Sequence, residues 1–211
     1  MALFITFEGG EGSGKSVQAK ALYDRLTQAS IQVVLTHEPG GAPLGDEISH
    51  WLKWNKELDI SPLTELLLFN ASRSQLVYTV IKPNLENGKV VICDRFADST
   101  TVYQGYGRGL DLEVVKQINN TATQGLMPDL TILLDMPIEE GFARKQADRQ
   151  DRFEQEDTAF HKKVRQGYLE LAASEPERWL VINASQDKET IAEIIWQNVK
   201  RLIYERSLKY E

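Results

Sequence analysis

Eight consecutive residues, Gly9-Gly10-Glu11-Gly12-Ser13-Gly14-Lys15-Ser16, have the spacing G-x-x-x-x-G-K-[ST] that cradles phosphate. Glycines let the backbone curl until successive N–H groups point inward at phosphate oxygens. Lys15 then reaches the outer phosphates of a nucleoside triphosphate, and the Ser16 hydroxyl is placed to ligate Mg²⁺. A second pair, Asp94-Arg95, follows the apolar run Val90-Val91-Ile92-Cys93. A carboxylate at that end of a strand can organise a Mg²⁺ shell, and an adjacent arginine can grip a phosphate with two N–H groups. The bland reading of the pair is a local ion pair at a strand end. A third set of charges lies in residues 144–157, RKQADRQDRFEQED, which is almost wholly polar and includes Arg144, Arg149 and Arg152. Most runs of this kind are solvated faces. Beside a triphosphate site, the run reads instead as an arginine-bearing lid.

These groups need elements to position them. Residues 3–7 form an apolar run that delivers the loop, and a helical pattern over residues 18–26 carries the chain away. Further runs at 32–36, 90–93, 130–134 and 179–182 are rich in Val, Ile and Leu and barely alternate, as strands buried on both faces do. Helical patterns separate them, which predicts an α/β fold: a five-stranded parallel sheet flanked by helices in three layers. Ser61-Pro62 with Glu65 gives an N-cap, a proline in the first turn and a capping-box acid. That helix is expected to end near Ile81, with Pro83 and Asn87-Gly88 closing the connection, and Asp187 caps a final helix.

The 211 residues suit a single domain spanning 1–211, with no repeat or Gly/Ser linker dividing it. A net charge of −7 argues against broad nucleic-acid binding, which needs a basic face. The one cysteine, Cys93, reads as a small core residue. Neither a signal-peptide pattern nor an apolar stretch of spanning length is present, so the expectation is a soluble cytoplasmic protein with no membrane partner. A regulatory GTPase needs an N-K-x-D motif, and the nearest string, Asn55-Lys56-Glu57-Leu58, lacks the aspartate. The small size then points towards a small-molecule kinase.

His37-Glu38-Pro39-Gly40-Gly41, Phe69-Asn70-Ala71-Ser72-Arg73, Asp94-Arg95-Phe96 and Ser99-Thr100-x-x-Tyr103-Gln104-Gly105 follow the phosphate loop in order. In this the chain resembles the thymidylate kinases over nearly its full length. The resemblance implies a P-loop nucleoside-monophosphate-kinase fold and the phosphorylation of thymidine monophosphate (dTMP) by ATP and Mg²⁺, for dTTP synthesis, in a homodimer. It sets thymine against Phe69, with Arg73 reaching a base carbonyl; positions i and i+4 of a helix share a face, so the two can converge. It sets Thr100 at the base edge, Tyr103 against the sugar, Glu11 towards the 3′-hydroxyl, Glu38 near sugar and phosphate, and Arg95 on the acceptor phosphate. Some thymidylate kinases carry an arginine inside the P-loop; this chain does not, and so resembles the bacterial type whose lid supplies it. Arg149 or Arg152 is then the transition-state arginine, and Arg144 stacks on adenine.

Three positions depart from the pattern: His37 for arginine, Phe96 for tyrosine or histidine, and Ala42 for threonine. Trp51 and Trp54 read as packing or interface residues. Two alternatives stay open, a P-loop kinase with another acceptor and a nucleotide-dependent switch without kinase chemistry.

Overall fold

Strand β1 (Leu3–Gly9) is buried along its whole length. The chain continues through α1 (Lys15–Gln28), β2 (Val33–His37), α2 (Pro43–Trp54) and α3 (Pro62–Leu76). A π-helical turn (Val77–Ile81), α4 (Lys82–Glu86), β3 (Val90–Asp94), α5 (Ala97–Thr100) and a second π-helical segment (Thr101–Gly107) follow. The remainder is α6 (Leu112–Thr123), β4 (Leu130–Asp135), α7 (Ile138–Arg144), α8 (Thr158–Ser174), β5 (Trp179–Asn183) and α9 (Lys188–Ser207). This computed structural model describes residues 2–55, 57–145 and 151–207. Among them no helix is long and apolar enough to cross a membrane.

All five strands are parallel, in the order β2-β3-β1-β4-β5. Successive β1 side chains point to opposite faces. Leu3, Ile5 and Phe7 meet Leu22 and Leu26 of α1 and Ile191 and Ile195 of α9, while Phe4 meets Leu76, Val91 and Phe96 on the other side. Both faces are therefore covered, as the non-alternating strands require. Phe7 and His37 both stand opposite Asp94 across the ladders, which levels the strand ends. The chain leaves β1 with neighbours β3 and β4 on opposite sides, and ligands of open α/β sheets bind at such a crevice.

Close packing shapes the P-loop. Gly12 has φ 70°, and a Cβ there would lie 2.0 Å from the Gly141 carbonyl oxygen of α7. No side chain fits at that position.

Two helix expectations need correction. The helix expected to stop near Ile81 runs on to Glu86, because Lys82 N–H bonds Val77 O and the extra residue of this π-turn absorbs the break at Pro83. Ser61 does cap α3, accepting from Thr64 N–H at 3.2 Å, but Glu65 stands four residues after the cap rather than three and so does not complete a capping box. It is drawn inward by two arginines. Asp187 caps α9 as expected, through Thr190 N–H at 2.8 Å. Cys93 is buried in β3.

Candidate active site

A cavity of about 900 Å³ opens along the C-terminal ends of β1, β2 and β3. Its floor is the P-loop. Gly14, at φ 88°, turns the chain into α1, so that Lys15 and Ser16 open the helix where N–H groups and the helix dipole favour anions. Lys15 Nζ donates to Gly10 O at 2.7 Å and Ser13 Oγ donates to the same oxygen at 2.9 Å. Burial, then the nearby Arg95 charge, push the Lys15 ammonium down to about 8. Ser16 Oγ donates to Asp94 Oδ2, which joins the two proposed Mg²⁺ donors across the strand ends.

Arg95 is the hub of the site. Its backbone is left-handed, φ 69°, and is held there by its N–H to Phe7 O at 2.9 Å. The guanidinium donates to Glu11 Oε1 at 2.6 Å, to Ser99 Oγ at 3.2 Å and to Tyr168 Oη at 3.3 Å, and lies 5.2 Å from the Tyr103 ring centroid. Glu11 also accepts from Tyr103 Oη and from Lys145 Nζ. Burial alone would raise the Glu11 carboxyl, but Arg95, Lys15 and Lys145 hold it well below the usual range. It is a carboxylate.

Beneath Arg95 sits Glu8, which the motifs did not single out. It accepts from Phe96 N–H at 2.8 Å, Ser99 N–H at 3.3 Å, Ser99 Oγ at 2.6 Å and Tyr168 Oη at 2.8 Å. Burial and the Asp98 charge push it up to about 7. Glu8 thus fixes the turn that aims Arg95. The signal was available: it is the one charged residue in an otherwise apolar, doubly buried strand.

On the far wall, Arg73 is the largest fully buried side chain among the described residues. All five of its N–H groups are engaged: Glu38 Oε2 at 2.8 Å, Asn70 Oδ1 at 3.2 Å, Asn119 Oδ1 at 2.9 Å, Phe96 O at 3.2 Å and Thr100 Oγ1 at 2.7 Å. The second oxygen of Glu38 is buried and has no partner among the described residues. Burial raises the Glu38 carboxyl against the pull of Arg73. Phe69 lines the same wall.

Asp151, Phe153 and Glu154 close a further side of the cavity. Phe153 lies 5.5 Å from the Phe69 ring and 6.2 Å from the Tyr103 ring, centroid to centroid. Arg152 donates to Glu65 of α3, which also receives Arg108 and Gln104, and Arg108 reaches Glu156 at 2.6 Å. Arg152 N–H bonds Lys53 O at 3.1 Å, so this segment is pinned to α2 as well. Arg144 lines the cavity and donates to Ala184 O at 2.7 Å, after β5. Arg149 lies outside the described residues.

The family model for thymidylate kinase matches residues 7–195. The chain belongs to the thymidylate kinase family. It is 57% identical over 203 residues to a thymidylate kinase of Dehalococcoides mccartyi, covering 96% of this chain and 98% of that one. The thymidylate kinase of Thermomicrobium roseum is 45% identical over 205 residues, 96% of this chain and 97% of its own. A crystal structure of thymidylate kinase from Ehrlichia chaffeensis superposes with a TM-score of 0.75 at 35% identity, over 94% of this chain and 98% of that chain. The activity is the phosphorylation of thymidine monophosphate.

Against the thymidylate kinase pattern, the departures have structural answers. The Phe96 ring packs edge-on against Phe4, with centroids 4.9 Å apart, while its backbone carbonyl serves Arg73. An apolar ring suits that core position. Ala42 is buried at the start of α2, where Gly41 N–H turns to Asp46 Oδ1 at 2.9 Å. His37 lines the cavity. Trp51 is half exposed on α2.

Proposed function

We propose that the cavity holds both substrates, ATP on the P-loop and dTMP under the lid, and that the γ-phosphoryl group passes in line from one to the other. The observation carrying this reading is Arg95, bound to the P-loop through Glu11 and facing the wall of Phe69 and Arg73. The P-loop N–H groups and Lys15 hold the ATP phosphates. Arg95 and Tyr103 orient the acceptor, whose phosphate oxygen attacks the γ-phosphorus as the bond to the β–γ bridging oxygen breaks and ADP departs. Positive charge around the transferring group is what such a transition state asks of the protein.

Phe69 stacks on thymine, Thr100 meets the base edge, and a base carbonyl shares an N–H of Arg73. The unpartnered Glu38 oxygen accepts from the sugar side, with Glu11 near the 3′-hydroxyl. Arg144 packs towards adenine. Arg149 and Arg152 are the lid arginines offered to the transition state, Arg152 after releasing Glu65. Among the described residues no group of three or more His, Cys, Asp or Glu side chains can hold a metal. The Ser16–Asp94 pair fits Mg²⁺, which keeps waters and takes phosphate ligands. Held by Ser16 and Asp94, the ion would offset the charge that develops on the transferring phosphate.

The role of each lid arginine is tested by Arg149→Ala and Arg152→Ala. The expected result is turnover falling by about 10³-fold in one of them, with ATP binding within a few-fold of wild type. Near-normal turnover in both variants overturns the lid assignment.

The enzyme works in the cytoplasm as a homodimer. Leu44 and Trp51 of α2, Leu63 and Leu67 of α3 and Val114 of α6 leave large apolar side chains exposed on neighbouring helices, which supports that assembly.

A further inference from the structure

Lys53 belongs to none of the motifs. It stands in the last turn of α2, one position past Leu52 on the buried face of the helix. A cation at a helix C-terminus is favoured wherever it points. Here the side chain points inward: Lys53 forms part of the cavity wall together with Arg95, Glu11, Asp94 and Asp151. Its ammonium makes no hydrogen bond or ion pair with any described residue. Burial drives its pKa down, and Arg95 adds to that fall, while Asp151, Glu11 and Asp94 oppose it.

The neighbouring cations differ in how they are satisfied. Arg95 is neutralised by Glu11, and Lys15 leans on Gly10 O. Of these three, Lys53 is the one that reaches the cavity with no bonded partner among the described residues, although placing it there costs solvation. A compact, flexible ammonium in that setting suits one kind of ligand atom, the oxygen of an anion arriving from the cavity.

We propose that Lys53 binds the phosphate of the acceptor nucleotide beside Arg95, and so selects a nucleoside monophosphate over the bare nucleoside. The proposal rests on the acceptor-site reading above. The Lys53 carbonyl simultaneously receives Arg152 N–H, so the residue that senses the phosphate also seats the lid. The competing role is structural: the ammonium closes onto Asp151 and steadies the lid without touching substrate.

Titration of the full-length protein with dTMP and with thymidine separates the two. Lys53→Met is expected to weaken dTMP binding about tenfold or more while leaving thymidine within twofold, and Lys53→Arg to recover most of the loss. Equal weakening of both ligands, or no change in either, overturns the proposal. Wild-type protein that binds dTMP no better than thymidine overturns both the proposal and the acceptor-site reading. A second measurement needs no variant. Acetic anhydride labelling of the wild-type amines, mapped by peptide mass, should show Lys53 protected by dTMP and unprotected by thymidine. Equal protection by the two ligands, or none by dTMP, contradicts a phosphate contact.

Discussion

Lys15 and Arg95 face the same cavity, and their mutual repulsion has a measurable consequence. Burial and Arg95 bring Lys15 to about 8, below an ordinary lysine. Below that pH the ammonium is present in the free protein and ATP binds it directly. Above it, binding must first take up a proton, so ATP affinity should fall about tenfold per pH unit between pH 8 and 10. Titrations at pH 7, 8 and 9 check this, and a flat profile would show that Lys15 keeps its ordinary pKa. The P-loop residues were legible in the sequence because their chemistry is local: the spacing itself builds the site. Glu8 and the saturation of Arg73 were not. The partners of Glu8 lie 88 to 160 positions away, and Arg73 meets Glu38, Thr100 and Asn119 only once the helices pack. The i, i+4 spacing of Phe69 and Arg73 gave their shared direction correctly but said nothing of how fully Arg73 was already bound.

At the scale of elements, the Glu65 carboxylate of α3 ties Arg152 of the proposed lid to Arg108. Taken as a capping-box acid, Glu65 in fact lies four residues after Ser61, one position past the one that reaches back to the cap. Two arginines, 43 and 87 positions away, take it into the interior instead. Glu65→Gln keeps the shape and removes the charge, leaving Arg108 and Arg152 without their shared counter-ion. The lid should loosen. The expected readouts are a fall in kcat/KM of about tenfold and faster tryptic cleavage within residues 144–157, with ATP binding alone little changed. Unaltered kinetics and cleavage would show that the lid is held by Phe153 and Glu156 without Glu65. Phe153 itself carried a signal, as the one aromatic in a polar run, but the rings it meets come from α3 and the segment after α5.

For the molecule as a whole, strand order does the organising. The β2-β3-β1-β4-β5 arrangement levels Ser16, Asp94, Glu38 and Arg95 along one edge, and the crossover helices cover both faces. Strand positions were readable from short Val/Ile/Leu runs, whereas their order was not, because composition does not encode which neighbour pairs with which. The cavity lining sets six cations, Lys15, Lys53, Arg73, Arg95, Arg144 and Lys145, against five carboxylates, so the net charge of −7 belongs to the rest of the chain. The apolar residues left on α2, α3 and α6 predict a dimer near 48 kDa, twice the 23.9 kDa chain. Sedimentation equilibrium at micromolar concentration checks the mass, with Leu67→Asp expected to shift it towards the monomer; a monomeric wild type contradicts the assembly.

Phosphoryl transfer from ATP to a panel of nucleoside monophosphates, with thymine, uracil, cytosine and adenine as bases, tests the site most directly. The arrangement of Phe69, Thr100 and Arg73 predicts ADP formation that depends on the acceptor, with kcat/KM for thymidine monophosphate at least about tenfold above every other acceptor. Slow ATP hydrolysis indifferent to the added monophosphate, or a clear preference for a base other than thymine, would contradict it.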